Sequence, residues 1–260
     1  MTGVPERGTT SGEVGQHSRT VHPSATDVRI RPPDPAELGA TAALLGLAMA
    51  DNPLHVAAYG DDETTRARRH THLMRGVVGR RRGEIVLAAF HDFDVVGAVA
   101  VTPTPGCRPR PLEVLRLVPG LARTGPGSLA RVLVWQRAWS AHHPGPPHLH
   151  VGPLAVHPAW RGRGLGGELL LRALAEGSRR HPGLPAYLET DREANVGFYR
   201  RLGFVLVDDG PVLGLPNWFM ERATGDHSAA QDFTAQDFTA SKDSETVAGR
   251  EGVRSWSGCS

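Results

Sequence analysis

The 260-residue chain is 40% hydrophobic and 22% charged, enough to bury a full core, which excludes a disordered or collagenous polymer and leaves one large domain or two small ones. Its formal charge of +2 is the difference between 29 basic and 27 acidic residues, with no block of five or six like charges, so no nucleic acid partner is expected. Cys107 and Cys259 are too few for a disulfide framework, and the longest apolar stretch, Ala40 to Ala50, falls short of the roughly 18 residues of a membrane span, so we expect a reducing, cytoplasmic setting and no membrane.

Residues 1–26 carry Gly, Ser, Thr, Pro and charge without apolar periodicity and read as a disordered tail; so does the polar stretch 224–260, which contains the tandem pentapeptide AQDFT twice. The C-terminal stretch holds six acidic and three basic residues and the N-terminal one is balanced, which leaves +5 on residues 27–223. No leader is expected, because no basic segment precedes an apolar one near the N-terminus.

Within 27–223, Val28 to Arg31 predicts a short strand, and Ala36 to Ala50 a helix ended by Asp51, Asn52 and Pro53. Asp61 to Arg82 reads as a polar second helix. Glu84 to Phe90 and Val95 to Val101 are β-branched and apolar strands joined by a hairpin at 91–94, stopped by Pro103 and Pro105. Leu112 to Leu121 and Ser128 to His142 follow as helices divided by Gly125, Pro126 and Gly127. His148 to Val156, Ala186 to Thr190, Phe204 to Val207 and Trp218 to Arg222 read as strands, with helices at Gly166 to Arg180 and Asn195 to Leu202, the latter capped by Gly203. The expectation is one mixed α/β (α+β) domain at 27–223, mostly antiparallel at its start.

The most informative segment is Val151 to Leu174, VGPLAVHPAWRGRGLGGELLLRAL. An apolar strand runs through a proline-containing link into Gly162, Gly164, Gly166 and Gly167 and then a helix. Glycines let a ligand approach the backbone, and a helix start leaves four N–H groups unpaired beside a partial positive charge, which together predict a pyrophosphate site flanked by Arg161 and Arg163. Gly162, Gly164 and Gly167 also satisfy the dinucleotide fingerprint GxGxxG, with Glu189 at the end of the next strand. Five residues separate strand from first glycine, however, and too little chain follows for a doubly wound sheet.

VHPAWRGRGLGG, Val156 to Gly167, resembles the acetyl-CoA signature Q/R-x-x-G-x-G/A of the GCN5-related N-acetyltransferases (GNAT), met by Arg161, Gly164 and Gly166. LETDREANVGFYRRLGF, Leu188 to Phe204, resembles the second signature of that family. The AYLET strand, Asn195 ahead of FYRRLGF and the Trp218 to Met220 ending are similar to the puromycin N-acetyltransferase group. Many family members carry Asn seven places before the Tyr, where this chain has Arg192. The resemblance implies the acyl-CoA N-acyltransferase fold, a mostly antiparallel sheet flanked by helices with splayed central strands. It also implies acetyl-CoA as cosubstrate, held by Leu154, Ala155 and Val156, by Arg161, Gly162, Arg163, Gly164, Leu165, Gly166 and Gly167, and by Asn195 and Tyr199. Pantetheine would lie between the strands as a pseudo-strand on the backbone of Leu154 and Val156, with the Val156 N–H facing the thioester carbonyl.

Acetyl transfer to an amine also needs a proton acceptor for the nucleophile and a donor for the departing thiolate. Tyr199 is the expected acid: a phenol near pKa 10 stays protonated at neutral pH, and on the last helix it is turned about 100° from Phe198, so that Phe198 faces the core and Tyr199 the cleft. Glu189 is the candidate base, directly or through water, with an ion pair to Arg192 as the other reading. His148 and His150 alternate on one strand face as further base candidates, but no third ligand is spaced to join them, so no metal is expected. Asn52, His55, Tyr59 and Trp218 lie in segments that could wall a substrate pocket. The expected protein is a monomeric or homodimeric N-acetyltransferase acting on a small-molecule amine, an antibiotic or aminonucleoside among the candidates. A catalytically silent acyl-CoA sensor and a protein or peptide acetyltransferase stand as alternatives.

Overall fold

A computed structural model describes residues 28–79, 82–107, 118–119 and 122–224. The two expected tails, with Cys259 and the AQDFT repeat, and nearly all of the helix expected at Leu112 to Leu121 lie outside them. Seven strands form one sheet: β1 (Val28–Arg31), β2 (Ile85–His91), β3 (Asp94–Pro103), β4 (Leu149–Val156), β5 (Ala186–Thr190), β6 (Val205–Val212) and β7 (Leu215–Arg222), in the order β1-β2-β3-β4-β5-β7-β6. Every neighbouring pair is antiparallel except β4 and β5. This mixed, mostly antiparallel sheet matches the expected fold class, and among the described residues it is not the parallel sheet that a dinucleotide site requires.

The helices are α1 (Leu38–Ala48), α2 (Pro53–Tyr59), α3 (Glu63–Val77), α4 (Pro126–His142), α5 (Leu165–Arg180) and α6 (Glu193–Arg201). Three departures from the sequence reading have local causes. Pro53 begins a helix where it was expected only to end one, because proline at a first helical position gives up an N–H that had no partner. Pro126 does the same for α4, with Gly125 at φ +84° turning the chain into it. The last two strands are longer than expected because Leu213 and Gly214, both at positive φ, close a tight hairpin between them.

The main core lies between the sheet and α5 with α6. Leu169, Leu170 and Ala173 of α5 are fully buried against Val99, Val101, Leu149 and Val151, and burial of each leucine is worth roughly 1.5–3 kcal/mol. Glu168 in the first turn and Arg179 with Arg180 in the last oppose the ends of the helix dipole. On the opposite face α1 packs on β3 and β4, with α3 outside it. The α1–α3 crossing is close at Gly46, where an added Cβ would stand 2.6 Å from the Ala67 carbonyl oxygen. A third cluster joins α2, α4 and the β6–β7 hairpin through Leu54, Tyr59, Trp135 and Val212. Among the described residues no helix is long and apolar enough to cross a membrane.

Candidate active site between the splayed strands

Strands β4 and β5 pair only at Leu149 with Ala186 and His150 with Tyr187. Beyond that rung β5 stays paired to β7 through Thr190, while β4 stays paired to β3 up to Val156, so a gap opens between them. On β4 two steps on β3, Val99 to Val101, face three on β4, Val151 to Leu154, which places a bulge at Gly152 and Pro153. After the bulge, His157 N–H bonds Val96 O at 2.9 Å. Because successive backbone groups in an antiparallel strand point to opposite sides, the peptide groups of Leu154 and Val156 point away from β3 and into the gap, while Ala155 pairs inward. This is the backbone arrangement the family resemblance implied.

At the far end of β4 a short turn, Pro158–Trp160, leads to Gly162 at φ +76° and Gly164 at φ +77°, the latter the N-cap of α5. The first hydrogen bond inside α5 runs from Glu168 N–H to Gly164 O at 3.1 Å. The N–H groups of Leu165, Gly166 and Gly167 therefore have no acceptor within the helix, and their sum is the positive end of a 16-residue dipole. Gly166 faces Val156 and Phe198, whose nearest atoms would lie 3.6 and 3.8 Å from an added Cβ. The turn and the gap thus form one continuous path. Both arginines beside it make contacts within the protein: Arg161 donates to Ala48 O (2.6 Å) and Val156 O (3.3 Å), and Arg163 donates to Ala159 O (3.1 Å) and stacks over Trp160.

Glu189 and Tyr199 sit on elements that border the gap. The Glu189 side chain is 3% exposed and accepts from His150 Nε2 at 2.8 Å. Its expected alternative partner, Arg192, bonds instead to the backbone (2.6 Å) and carboxylate (3.0 Å) of Asp51. Tyr199 and Phe198 differ from expectation. Tyr199 is the more buried, its ring packed with the main core and 5.8 Å from that of Phe204, while Phe198 is half-buried against the core edge. A helix this short sets its inward face by how it docks on β5 and β7, which the spacing alone does not specify. The Tyr199 hydroxyl makes no hydrogen bond to a described residue, and it is not among the unpaired atoms sealed from solvent. Burial, with the charges of Asp191 and Glu189, raises its pKa above the ordinary phenol value, so it stays protonated.

The remaining candidates are spread over several places. Asn195, in the first turn of α6, donates to Thr190 Oγ1 at 3.1 Å and so fixes the helix to the end of β5. Asn52 stands at the N-cap position of α2 without a side-chain capping bond, and Trp218 on β7 stands opposite Thr190 and Asp209. His55 and Tyr59 are each 2% exposed and pack with His70 and Trp135. Sequence reasoning missed Asp51 and Asp191. Asp51 draws Arg192 and Arg161 together at 3.0 and 3.7 Å, and the Asp191 carboxylate accepts from Leu54 N–H at 2.8 Å. Together they fasten the loop after β5 to the α1–α2 loop, a contact more than 130 residues apart with no local signal.

A model of the acetyltransferase (GNAT) family matches residues 52–204, more than half of the chain. Among solved structures, the protein described as histone acetyltransferase HPA2 and related acetyltransferase from Corynebacterium glutamicum superposes with a TM-score of 0.54 at 21% identity, covering 76% of this chain and 96% of its own. Arylalkylamine N-acetyltransferase 2 from Aedes aegypti gives 0.53 at 12%, covering 76% and 99%. A Drosophila melanogaster polyamine N-acetyltransferase gives 0.50 at 18%, covering 75% and 97%. These likenesses show the fold, and the match over 52–204 shows the lineage: the chain belongs to the acetyltransferase (GNAT) family.

Proposed function

We propose that the protein transfers the acetyl group of acetyl-CoA to a primary amine of a small molecule by direct attack in a ternary complex. The observation that carries this reading is the gap between β4 and β5, lined by outward-pointing peptide groups and ending in the open amides of α5. The residues fit the cosubstrate in kind: the N–H groups at Leu165 to Gly167 suit a diphosphate, and the strand edge at Leu154 and the Val156 N–H, turned away from β3, suits an amide-bearing pantetheine arm. When bound, acetyl-CoA supplies an activated thioester carbonyl.

The chain's own groups then divide the work. Glu189, buried and tied to His150, takes a proton from the incoming ammonium, directly or through a water molecule. The Val156 N–H points into the gap, where it can donate to the carbonyl oxygen as charge builds there; a fixed donor of this kind is worth on the order of 3 kcal/mol in acyl transfer. Nitrogen bonds to the carbonyl carbon as the carbon–sulfur bond breaks, the Tyr199 hydroxyl gives its proton to the sulfur, and the second proton leaving the new amide nitrogen passes through water to restore the phenol. Most of the acceleration comes from holding the two reactants in line.

The test is release of free thiol from acetyl-CoA across a panel of amines that includes puromycin, agmatine, an arylalkylamine and a peptide. Turnover on a small amine supports the proposal. Acetyl-CoA binding without turnover on any amine would make the protein a sensor, and turnover on the peptide alone would make it a peptide acetyltransferase.

A further inference from the structure

The face of the sheet beneath the end of α4 carries a cluster that touches the proposed acetyl-transfer site only through the bond from His150 to Glu189. Cys107, in the turn after β3, His143, just past α4, and His150, on the last paired rung of β4, each offer a ligand atom, and the three atoms lie within 4.8 Å of one another. Cys107 is buried and forms no disulfide among the described residues. The two imidazoles are set by their other contacts. His150 Nε2 donates to the Glu189 carboxylate at 2.8 Å, so Nδ1 is the ring nitrogen open to a further ligand. His148 Nδ1 donates to Pro146 O at 2.8 Å, so its Nε2 accepts from His143 Nε2 at 3.4 Å, and His143 too keeps its lone pair on Nδ1. Both Nδ1 atoms are sealed from solvent with no hydrogen-bond partner.

We propose that Cys107, His143 and His150 bind a zinc ion through the cysteine sulfur and the two Nδ1 atoms, with a fourth position left for water or a small ligand. Two imidazoles and a thiolate are the donors that borderline-soft zinc prefers over magnesium or calcium. Zinc bonds of about 2.0–2.3 Å require donors roughly 3.5 Å apart, so a trio within 4.8 Å needs to close by no more than about an ångström on binding. Glu189 then completes a carboxylate–histidine–metal relay from outside the coordination shell, holding the His150 ring and raising its basicity. Binding replaces the Cys107 S–H bond with a zinc–sulfur bond and sends that proton to the buffer; no electrons move. The sequence does not bring these three together, because positions 107, 143 and 150 have a spacing that matches no local zinc motif.

The test uses the full chain without an affinity tag, reduced and stripped with chelator, and titrated with cobalt(II). The expected result is a sulfur-to-cobalt charge-transfer band with the intense visible bands of four-coordinate cobalt, saturating at one ion per chain and displaced by zinc. Cys107→Ser should lose the charge-transfer band, Cys259→Ser should keep it, and Glu189→Gln should weaken zinc binding by about 10-fold. Far-ultraviolet circular dichroism checks that each variant is folded, and His143→Gln, which leaves the sulfur in place, should lower zinc affinity at least 10-fold as a second variant. No charge-transfer band in the unaltered chain, or a band that survives Cys107→Ser, overturns the proposal. The readout is metal binding, so it succeeds or fails independently of acetyl transfer.

Discussion

His150 Nε2 and the Glu189 carboxylate meet at 2.8 Å across the last rung that joins β4 to β5, at the point where the strands part. The carboxylate is buried and directed along the edge of the gap by the His150 imidazole, which holds it where an incoming ammonium can give up a proton. Glu189→Gln preserves the shape and an acceptor for His150 but cannot bind that proton. We expect kcat to fall about 100-fold or more, the range for loss of a positioned base, while the KM for acetyl-CoA stays within about 2-fold. Steady-state thiol release in chelator-treated buffer measures both, and an unchanged kcat would leave Glu189 only a structural part.

Tyr199 presents the opposite requirement, because its hydroxyl must keep its proton until sulfur departs. Burial and the two carboxylates of Asp191 and Glu189 raise its pKa, which favours the protonated form in the resting protein. Tyr199→Phe removes one oxygen from a ring whose packing on Phe204 and the core remains. Turnover should drop at least about 10-fold with little change in melting temperature or acetyl-CoA affinity. A drop in affinity with kcat unchanged would assign the hydroxyl to binding instead of proton transfer.

Much of this site is legible in one dimension, because its chemistry is local to two segments. Gly162 and Gly164 do adopt positive φ, Gly203 ends α6 at φ +84°, and the strand before the glycine turn runs to Val156 as its apolar pattern predicts. What stays hidden depends on contacts between distant segments. Nothing near Glu189 marks His150 as its partner in preference to Arg192, and nothing near Arg192 marks Asp51. Likewise, the spacing of Phe198 and Tyr199 places them on different sides of a helix without saying which side meets the sheet. Short helices such as α2 escape for another reason: Pro53 reads equally as a stop and as a start, and only the docking of Leu54 into the α2–α4 cluster decides between them.

The glycine turn offers a test of binding apart from chemistry. Gly164 caps α5 at φ +77° and ψ −10°, a left-handed conformation that costs an L-residue roughly 1–2 kcal/mol. Gly164→Ala should therefore lower stability by about 1 kcal/mol, and any relaxation of the backbone would turn the first α5 amides away from their common direction. We expect acetyl-CoA affinity measured by calorimetry to fall about 10-fold, with a smaller effect on kcat at saturation. Equal affinity in the variant would mean that the amides at Leu165 to Gly167 do not hold the diphosphate.

Stability should fall with pH through His55 and His70, which lie with their Nε2 atoms 3.3 Å apart inside the α2–α3–α4 packing. Burial holds His70 down at about 4, and burial together with the charges of His70, Arg192 and Arg66 holds His55 well below 6.5. Both are neutral when folded and take up protons when unfolded, so the unfolded state binds more protons below about pH 6.5. Stability is thus fully present above that value and is lost as the pH falls toward about 4. For His70 alone, the loss between pH 7 and pH 5 is on the order of 2 kcal/mol, or several degrees in Tm. His70→Leu removes one titrating group and should make the fall in Tm between pH 7 and pH 5 measurably shallower, even if the variant starts from a lower Tm. An identical slope in the two proteins would show that His70 is not held neutral in the fold.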